Sequence, residues 1–277
     1  MTLTLTLRTQ PPARLPVPTL IPQRLQGLGA SNVSALTVRC GRQNLAVGDL
    51  FEVSGSSDDQ LVLAGDLRRV DAIGARMSGG RVLVDGPCGD HLGARMSGGE
   101  LEVRGAAGAW AGAEMAGGVL RVTGDAGPRL GGAYPGARAG MTGGEIVVSS
   151  DAGEEAGAGM RRGLVAVGGQ TGSGAGLRML AGTVIALSGI GAEAGIGNRR
   201  GSLVSGQMVQ TSPAYGFATR FRPPALRLQL LRARELGLSV DAALVRGIWA
   251  RWSGDRTELG RGEILIYDPE EAECPSR

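Results

Sequence analysis

Lysine is missing from this 277-residue sequence, in which all 29 Lys-plus-Arg positions are arginine. Aromatic residues are almost as scarce, with three each of Phe, Trp and Tyr. That scarcity argues against nucleic-acid modules that stack bases on aromatic rings. A net charge of +3 is also too small for a dedicated duplex binder. There is one histidine, His91, and three cysteines, Cys40, Cys88 and Cys274, which never form C-x-x-C. Neither a zinc ribbon nor a disulfide framework is therefore expected. A Ser-His-Asp triad or a His-rich metal site would rest on His91 alone. His91 reads instead as an ordinary exposed side chain on a turn. No catalytic and no metal-binding residue is assigned. No apolar run reaches the ~18 residues of a membrane span, and the N-terminus lacks the charged-then-apolar plan of a signal peptide. A soluble, cytoplasmic protein with neither nucleic acid nor membrane as partner is expected.

Glycine, by contrast, fills 49 positions. Most of it follows a repeat, the first feature to look for in such a chain. Met77, Met96, Met115, Met141, Met160 and Met179 are spaced 19, 19, 26, 19 and 19 residues apart, and Asn198 takes the next 19-residue step. Glycines recur at fixed offsets after each ladder residue in a G-x-x-G-x-x-x-G pattern. Between them, Val82/Val84, Leu101/Val103, Leu120/Val122, Ile146/Val148, Val165/Val167 and Val184/Ala186 alternate with charged neighbours such as Arg81, Glu100 and Glu102. This is the period of a strand with one buried face. A 19-residue unit cannot bury a core alone, but stacked units can. So much glycine inside helices would cost about 1 kcal/mol per residue relative to alanine. The pattern predicts a parallel β-helix of about seven 19-residue coils over residues 70–206. The Met ladder reads as core packing, not as a soft-metal site.

Residues 1–69 predict an N-terminal β segment and cap: a strand at Leu3, Leu5 and Leu7, a proline-rich connector, and short strands near 36–38, 50–53 and 61–63. Residues 207–277 predict a helical and strand extension. Leu226, Leu230, Ala233 and Leu236 share one helical face. Ser239 reads as an N-cap, with Val240, Leu244, Ile248 and Trp252 continuing a second helix. Residues 263–267 predict a last strand. Open solenoids need both ends covered. Nine arginines against four acids between Arg220 and Arg261 give the extension a local charge of +5, either a partner interface or a solvated amphipathic pair of helices.

Two places are candidate binding sites. The 26-residue step contains a seven-residue insertion, Gly132 to Arg138, which is either a tolerated loop or a docking loop carrying Tyr134 and Arg138. Small residues follow the ladder Met in the early coils. They give way to Arg161-Arg162 and Arg199-Arg200 in the later ones, with Arg178 between. Rungs ~4.8 Å apart would align these five arginines along one anion-binding edge. A contact with a neighbouring acidic protein chain is the plainer alternative.

Three features carry a family resemblance. Gly48-Asp49-Leu50-Phe51-Glu52-Val53 precedes the run from Gly65-Asp66-Leu67 to Ile73-Gly74-Ala75. The G-x-A-Y-x-G-x-x-x-G-M insertion ends at Met141. Gly254-Asp255 and Gly260-Arg261-Gly262-Glu263-Ile264 close the chain. Together with the coils, these resemble the C-subunit family of formylmethanofuran dehydrogenase, whose β-helix also forms the C-terminal domain of the glutamate synthase large subunit. The arginine-only composition resembles its bacterial, methylotrophic branch, the C subunit of the formyltransferase/hydrolase complex. The resemblance implies a right-handed parallel β-helix, a mainly β fold, and a non-catalytic scaffold in one-carbon metabolism. In such a complex a formyl group passes from tetrahydromethanopterin to a methanofuran-like carrier and is released as formate. It implies a hetero-oligomer with amidohydrolase-like, dehydrogenase-B-like and formyltransferase companions, which hold the chemistry. It also implies that the carrier's glutamyl tail could run along the edge of Arg161, Arg162, Arg178, Arg199 and Arg200, with no covalently bound cofactor. The alternatives are a subunit of a true formylmethanofuran dehydrogenase, or a glutamate-synthase-type β-helix acting as a spacer.

Overall fold

The computed structural model describes residues 2–56 and 59–269, so that Cys274 lies outside it. Ahead of the repeat come β1 (Leu3–Leu7), β2 (Leu15–Pro16), α1 (Pro22–Leu25), α2 (Ala30–Ser34), β3 (Thr37–Cys40), β4 (Gln43–Ala46), α3 (Val47–Leu50), β5 (Phe51–Ser54), β6 (Gln60–Ala64) and β7 (Val70–Asp71). The repeat supplies β8 (Ser78–Asp85), β9 (Ser97–Val103), β10 (Gly117–Val122), β11 (Glu145–Val148), β12 (Leu164–Val167), β13 (Gln170–Thr171), β14 (Thr183–Ala186), β15 (Gly189–Ile190) and β16 (Ser202–Ser205). After it come β17 (Gly216–Phe221), α4 (Pro224–Glu235), α5 (Ala242–Arg246), β18 (Ile248–Gly254) and β19 (Gly262–Asp268).

The apolar pairs of the repeat set the register of one 13-stranded sheet, ordered β17-β18-β19-β16-β14-β12-β11-β10-β9-β8-β6-β1-β5. It is parallel from β1 to β19 and antiparallel only at its two ends. Val82 pairs with Leu101, Leu101 with Leu120, Leu120 with Ile146, and so on through Val165 and Val184 to Leu203. Each of these side chains is buried, as is every Met of the ladder. The 26-residue step keeps the same register, so its extra residues leave the sheet undisturbed. Non-repetitive strands continue the ladder at both ends: Leu61 pairs with Val82, Leu3 with Leu61, and Ile264 with Leu203. A second, shorter line of parallel contacts runs through Ala107, Ala126, Ala152 and Thr171 to Ile190.

Glycine is required where rungs come closest. A Cβ on Gly118, at φ +86°, would stand 2.6 Å from Met96 Cε and 2.7 Å from the Gly99 carbonyl oxygen. No side chain fits that space without displacing the ladder Met.

The outer face of the sheet changes character along the stack. At β8 to β10 it carries Arg81, Leu83, Glu100, Glu102 and Arg121. From β11 onward, Val147, Leu164, Ala166, Ile185, Val204 and Leu265 are buried beneath Leu226, Leu230 and Ala233 of α4. Strands buried on both faces lose their alternation, hence Leu164-Val165-Ala166-Val167. Arg232 anchors the helix through two 2.9 Å bonds to the Glu145 carboxylate, and the Gln229 amide donates to the Thr183 hydroxyl at 2.8 Å.

The second helix expected from Ser239 onward is corrected here. Asp241 is the cap, its carboxylate accepting from the Ala243 amide at 2.8 Å, and α5 is only Ala242–Arg246. Gly247 ends it, and Ile248 and Trp252 lie on β18 between β17 and β19. The four-residue spacing of Val240, Leu244, Ile248 and Trp252 imitates a helix. Two open sheet neighbours and the β-favouring run Ile248-Trp249 prevail over it.

Candidate binding edge

Each repeat turns a tight corner just before its ladder Met, and the corners stack through backbone bonds between rungs. The His91 and Arg95 amides, for example, donate to the Ala109 and Ala113 carbonyls at 2.8 Å. The corner needs positive φ five residues and one residue before the ladder position. Glycine meets that need in places, yet among the described residues ten non-glycine side chains adopt it, including Arg76, His91, Arg95, Trp110, Glu114, Arg129, Glu155 and Arg178. Such a conformation costs an L-residue about 1–2 kcal/mol. Placing large side chains there repeatedly therefore concentrates functional groups along one edge.

The insertion closes over this edge. Its backbone is tied back by the Ala133 amide donating to the Ala158 carbonyl and the Gly140 amide to the Gly159 carbonyl, at 2.9 and 2.8 Å. Tyr134 stacks on Trp110 with 4.8 Å between centroids, and its hydroxyl lies 2.8 Å from His91 Nδ1. The Tyr134 amide donates to Glu114, which also holds Arg95 at 2.8 Å. The Arg95 and Arg129 guanidiniums sit over the Tyr134 and Trp110 rings at 5.5 and 4.7 Å, and Arg129 pairs with Glu155 at 3.0 Å. Burial pushes the Tyr134 phenol up from its ordinary value, with Arg95 opposing and Glu114 adding to the shift. The phenol is therefore protonated at neutral pH.

Two concavities flank Tyr134. A shallow one of about 400 Å³ has a floor of Ala72, Ala75 and Ala94 and a rim of Arg76, His91 and Arg95. A larger one of about 850 Å³ lies between the insertion and the last corners, where Arg138, Arg178 and Arg199 face Glu155 and Glu258. Arg199 pairs with Glu258 at 3.2 Å. Arg138 and Arg178 have no carboxylate partner among the described residues, and both are exposed. This arrangement can hold a carboxylate or phosphate between guanidiniums and a flat group against the alanine floor.

The structure thus brings together four of the sequence-predicted residues, Tyr134, Arg138, Arg178 and Arg199. Arg161, Arg162 and Arg200 are exposed but line neither concavity. The expectation for His91 is corrected: it is half-buried and bonded to Tyr134, because its corner turns it toward the folded-back insertion. Sequence reasoning missed Trp110, Arg95, Glu114 and Arg129. The signal was the repeat itself, since His91 and Trp110 sit five residues before their Met, and Arg95 and Glu114 one before. Among the described residues, no three His, Cys, Asp or Glu side chains gather as a metal site would require.

Fold and edge together define a glycine-rich protein of 19-residue repeats, whose parallel-rich sheet presents a corner of arginines and stacked aromatics. No established family profile matches the sequence. The C subunit of the formyltransferase/hydrolase complex of Methylorubrum extorquens is 37% identical over 86 residues, 31% of this chain and 32% of that protein. The C subunit of the tungsten-containing formylmethanofuran dehydrogenase 2 of Methanothermobacter marburgensis is 32% identical over 87 residues, 30% of this chain and 32% of that protein. These matches span about a third of the curated relatives' length. A chain in the crystal structure of the M. extorquens formyltransferase/hydrolase complex with methylofuran superposes with a TM-score of 0.89 at 36% identity, covering 95% of this chain and 98% of that one. The protein belongs to the C-subunit family of formylmethanofuran dehydrogenase.

Proposed function

We propose that this chain is the non-catalytic C subunit of a cytoplasmic formyltransferase/hydrolase complex, serving as scaffold and as part of the docking surface for a methanofuran-like carrier. The observation that carries the reading is the full-length likeness, at 36% identity, to a chain of such a complex crystallised with methylofuran. On this reading the parallel ladder winds as a right-handed β-helix of about seven coils over residues 70–206, with 1–69 and 207–277 closing its ends. Companion amidohydrolase-like, dehydrogenase-B-like and formyltransferase subunits transfer the formyl group from tetrahydromethanopterin and release formate. The carrier's glutamyl tail is held by Arg178 and Arg199 beside Tyr134 and Arg138, and extends along Arg161, Arg162 and Arg200.

A second reading, a subunit of a true formylmethanofuran dehydrogenase, draws support from the M. marburgensis relative. Molybdenum or tungsten in the purified assembly would favour that reading; formate release without either metal favours the first. For the docking surface, Arg161, Arg162, Arg199 and Arg200 are changed together to Ala. The expected outcome is an intact assembly whose carrier affinity falls and becomes less sensitive to salt, since fewer cations take part. Loss of assembly would make these arginines contacts between the companions. If neither carrier binding nor assembly changes, they have no part in either.

A further inference from the structure

Beside α4, a groove of about 730 Å³ runs between α4, α5 and the start of β18. The pattern of α4 explains it. Leu226, Leu230 and Ala233 are spent on the sheet, while Leu228, at 68% exposure, and the half-buried Leu231 line the groove. Leu244 and Val245 of α5 complete an apolar floor that ends at Trp249. Three arginines, Arg222, Arg227 and Arg246, stand at the rim, and no acidic side chain among the described residues lines the groove. All three are exposed and lack a carboxylate partner among the described residues, in contrast to Arg220, Arg232 and Arg251 nearby, which are paired with Asp268, Glu145 and Glu263. An exposed apolar strip rimmed by one sign of charge is the signature of a docking surface.

We infer that the α4–α5 groove binds an acidic amphipathic segment of another polypeptide, its apolar side chains on Leu228, Leu231, Leu244 and Val245 and its carboxylates on Arg222, Arg227 and Arg246. Charge complementarity selects the occupant: guanidiniums form paired bonds with carboxylates, and a basic or neutral segment would leave all three unneutralised. The inference goes beyond the assembly proposed above, because the groove's chemistry is the same whichever polypeptide supplies the segment. This chain's own residues 270–273, Glu-Glu-Ala-Glu, are the competing occupant.

The test places a photo-crosslinking amino acid at Leu228 of the full chain in its native cells and identifies the crosslinked peptide by mass spectrometry. The expected product is one segment of another polypeptide with at least two Asp or Glu among apolar residues. Its yield should fall roughly tenfold or more in R222E/R227E/R246E, about what losing 1.4 kcal/mol of binding implies. It should persist in R222K/R227K/R246K. Should the Glu variant disturb folding, Gln at the same positions asks the same question. Crosslinking to residues 269–277 of the same chain, to a basic or neutral segment, or to nothing would overturn the inference, as would a yield indifferent to charge reversal. If the acidic segment belongs to a polypeptide outside the proposed complex, the groove inference stands, and the assembly reading fails only if the chain also purifies without the three companions.

Discussion

The ladder Met side chains sit where the corner meets the strand, and from Met96 onward they fill the interior beside a glycine of the next rung, as Met96 does against Gly118 and Met115 against Gly144. A flexible, unbranched side chain suits that irregular gap. Met115→Ala leaves a void that the rigid stack cannot close and should destabilise the protein by about 2–5 kcal/mol in urea unfolding, without loss of any bound metal. At the last rung the ladder changes chemistry. Asn198 is buried in the Met position, its amide oxygen accepting from the Gly201 amide at 2.7 Å and its amide nitrogen donating to the Gly201 carbonyl at 2.9 Å. Beside it, Asp255 accepts from the Gly197 amide, the Thr257 amide and the Thr257 hydroxyl at 3.0, 2.8 and 2.7 Å. Burial works against its ionisation, but these bonds prevail and hold the carboxyl below its ordinary range. The folded state therefore binds this proton less readily than the unfolded chain. The stability Asp255 adds is present above its unfolded value and is lost as pH falls through the lower, folded one. The hydrogen-exchange protection of the Gly197 and Thr257 amides, taken relative to the intrinsic exchange rate at each pH, should fall on acidification. In Asp255→Asn that protection should be low already at neutral pH and nearly flat with pH.

The elements depend on one another along the stack. Removing everything after Gly206 takes away β19, the pairing partner of β16, and strips α4 from Val147, Leu164, Ala166, Ile185 and Val204. In a molecule whose rungs contact mainly their neighbours, damage of this kind is local. The truncated chain should lose hydrogen-exchange protection in β12, β14 and β16 while β8 and β9 keep theirs; uniform loss would contradict this picture of the stack. The repeat made β8 to β12 and β14 legible, because each inward pair is written as an alternating doublet at a fixed distance from a Met. What lay at the ends was harder to read. Leu61 is 21 residues before Val82 and Ile264 is 61 after Leu203, so neither strand shows the period, yet both continue the same ladder. The outer face was missed although the sequence shows it, in the change from Arg81-Val82-Leu83 to Leu164-Val165-Ala166. Of the candidate edge, Arg138, Arg178, Arg199 and the insertion were legible as residues. That Tyr134 folds back onto Trp110 and His91 was not, since nothing local to the insertion fixes its direction.

At the scale of the molecule, the described surface divides its tasks. From β11 onward one face of the sheet is closed by α4, one edge presents the arginine and aromatic corner, and the α4–α5 groove offers an apolar floor beneath three arginines with no carboxylate partner among the described residues. The proposed scaffold role among catalytic companions is decided by native mass spectrometry of the protein affinity-purified from its own cells, with formyl-transfer assays on the same sample. Three companion polypeptides in fixed ratio are expected, with formate release by the assembly and none by the chain alone. A chain that purifies alone, or that carries an amidotransferase instead, would contradict it.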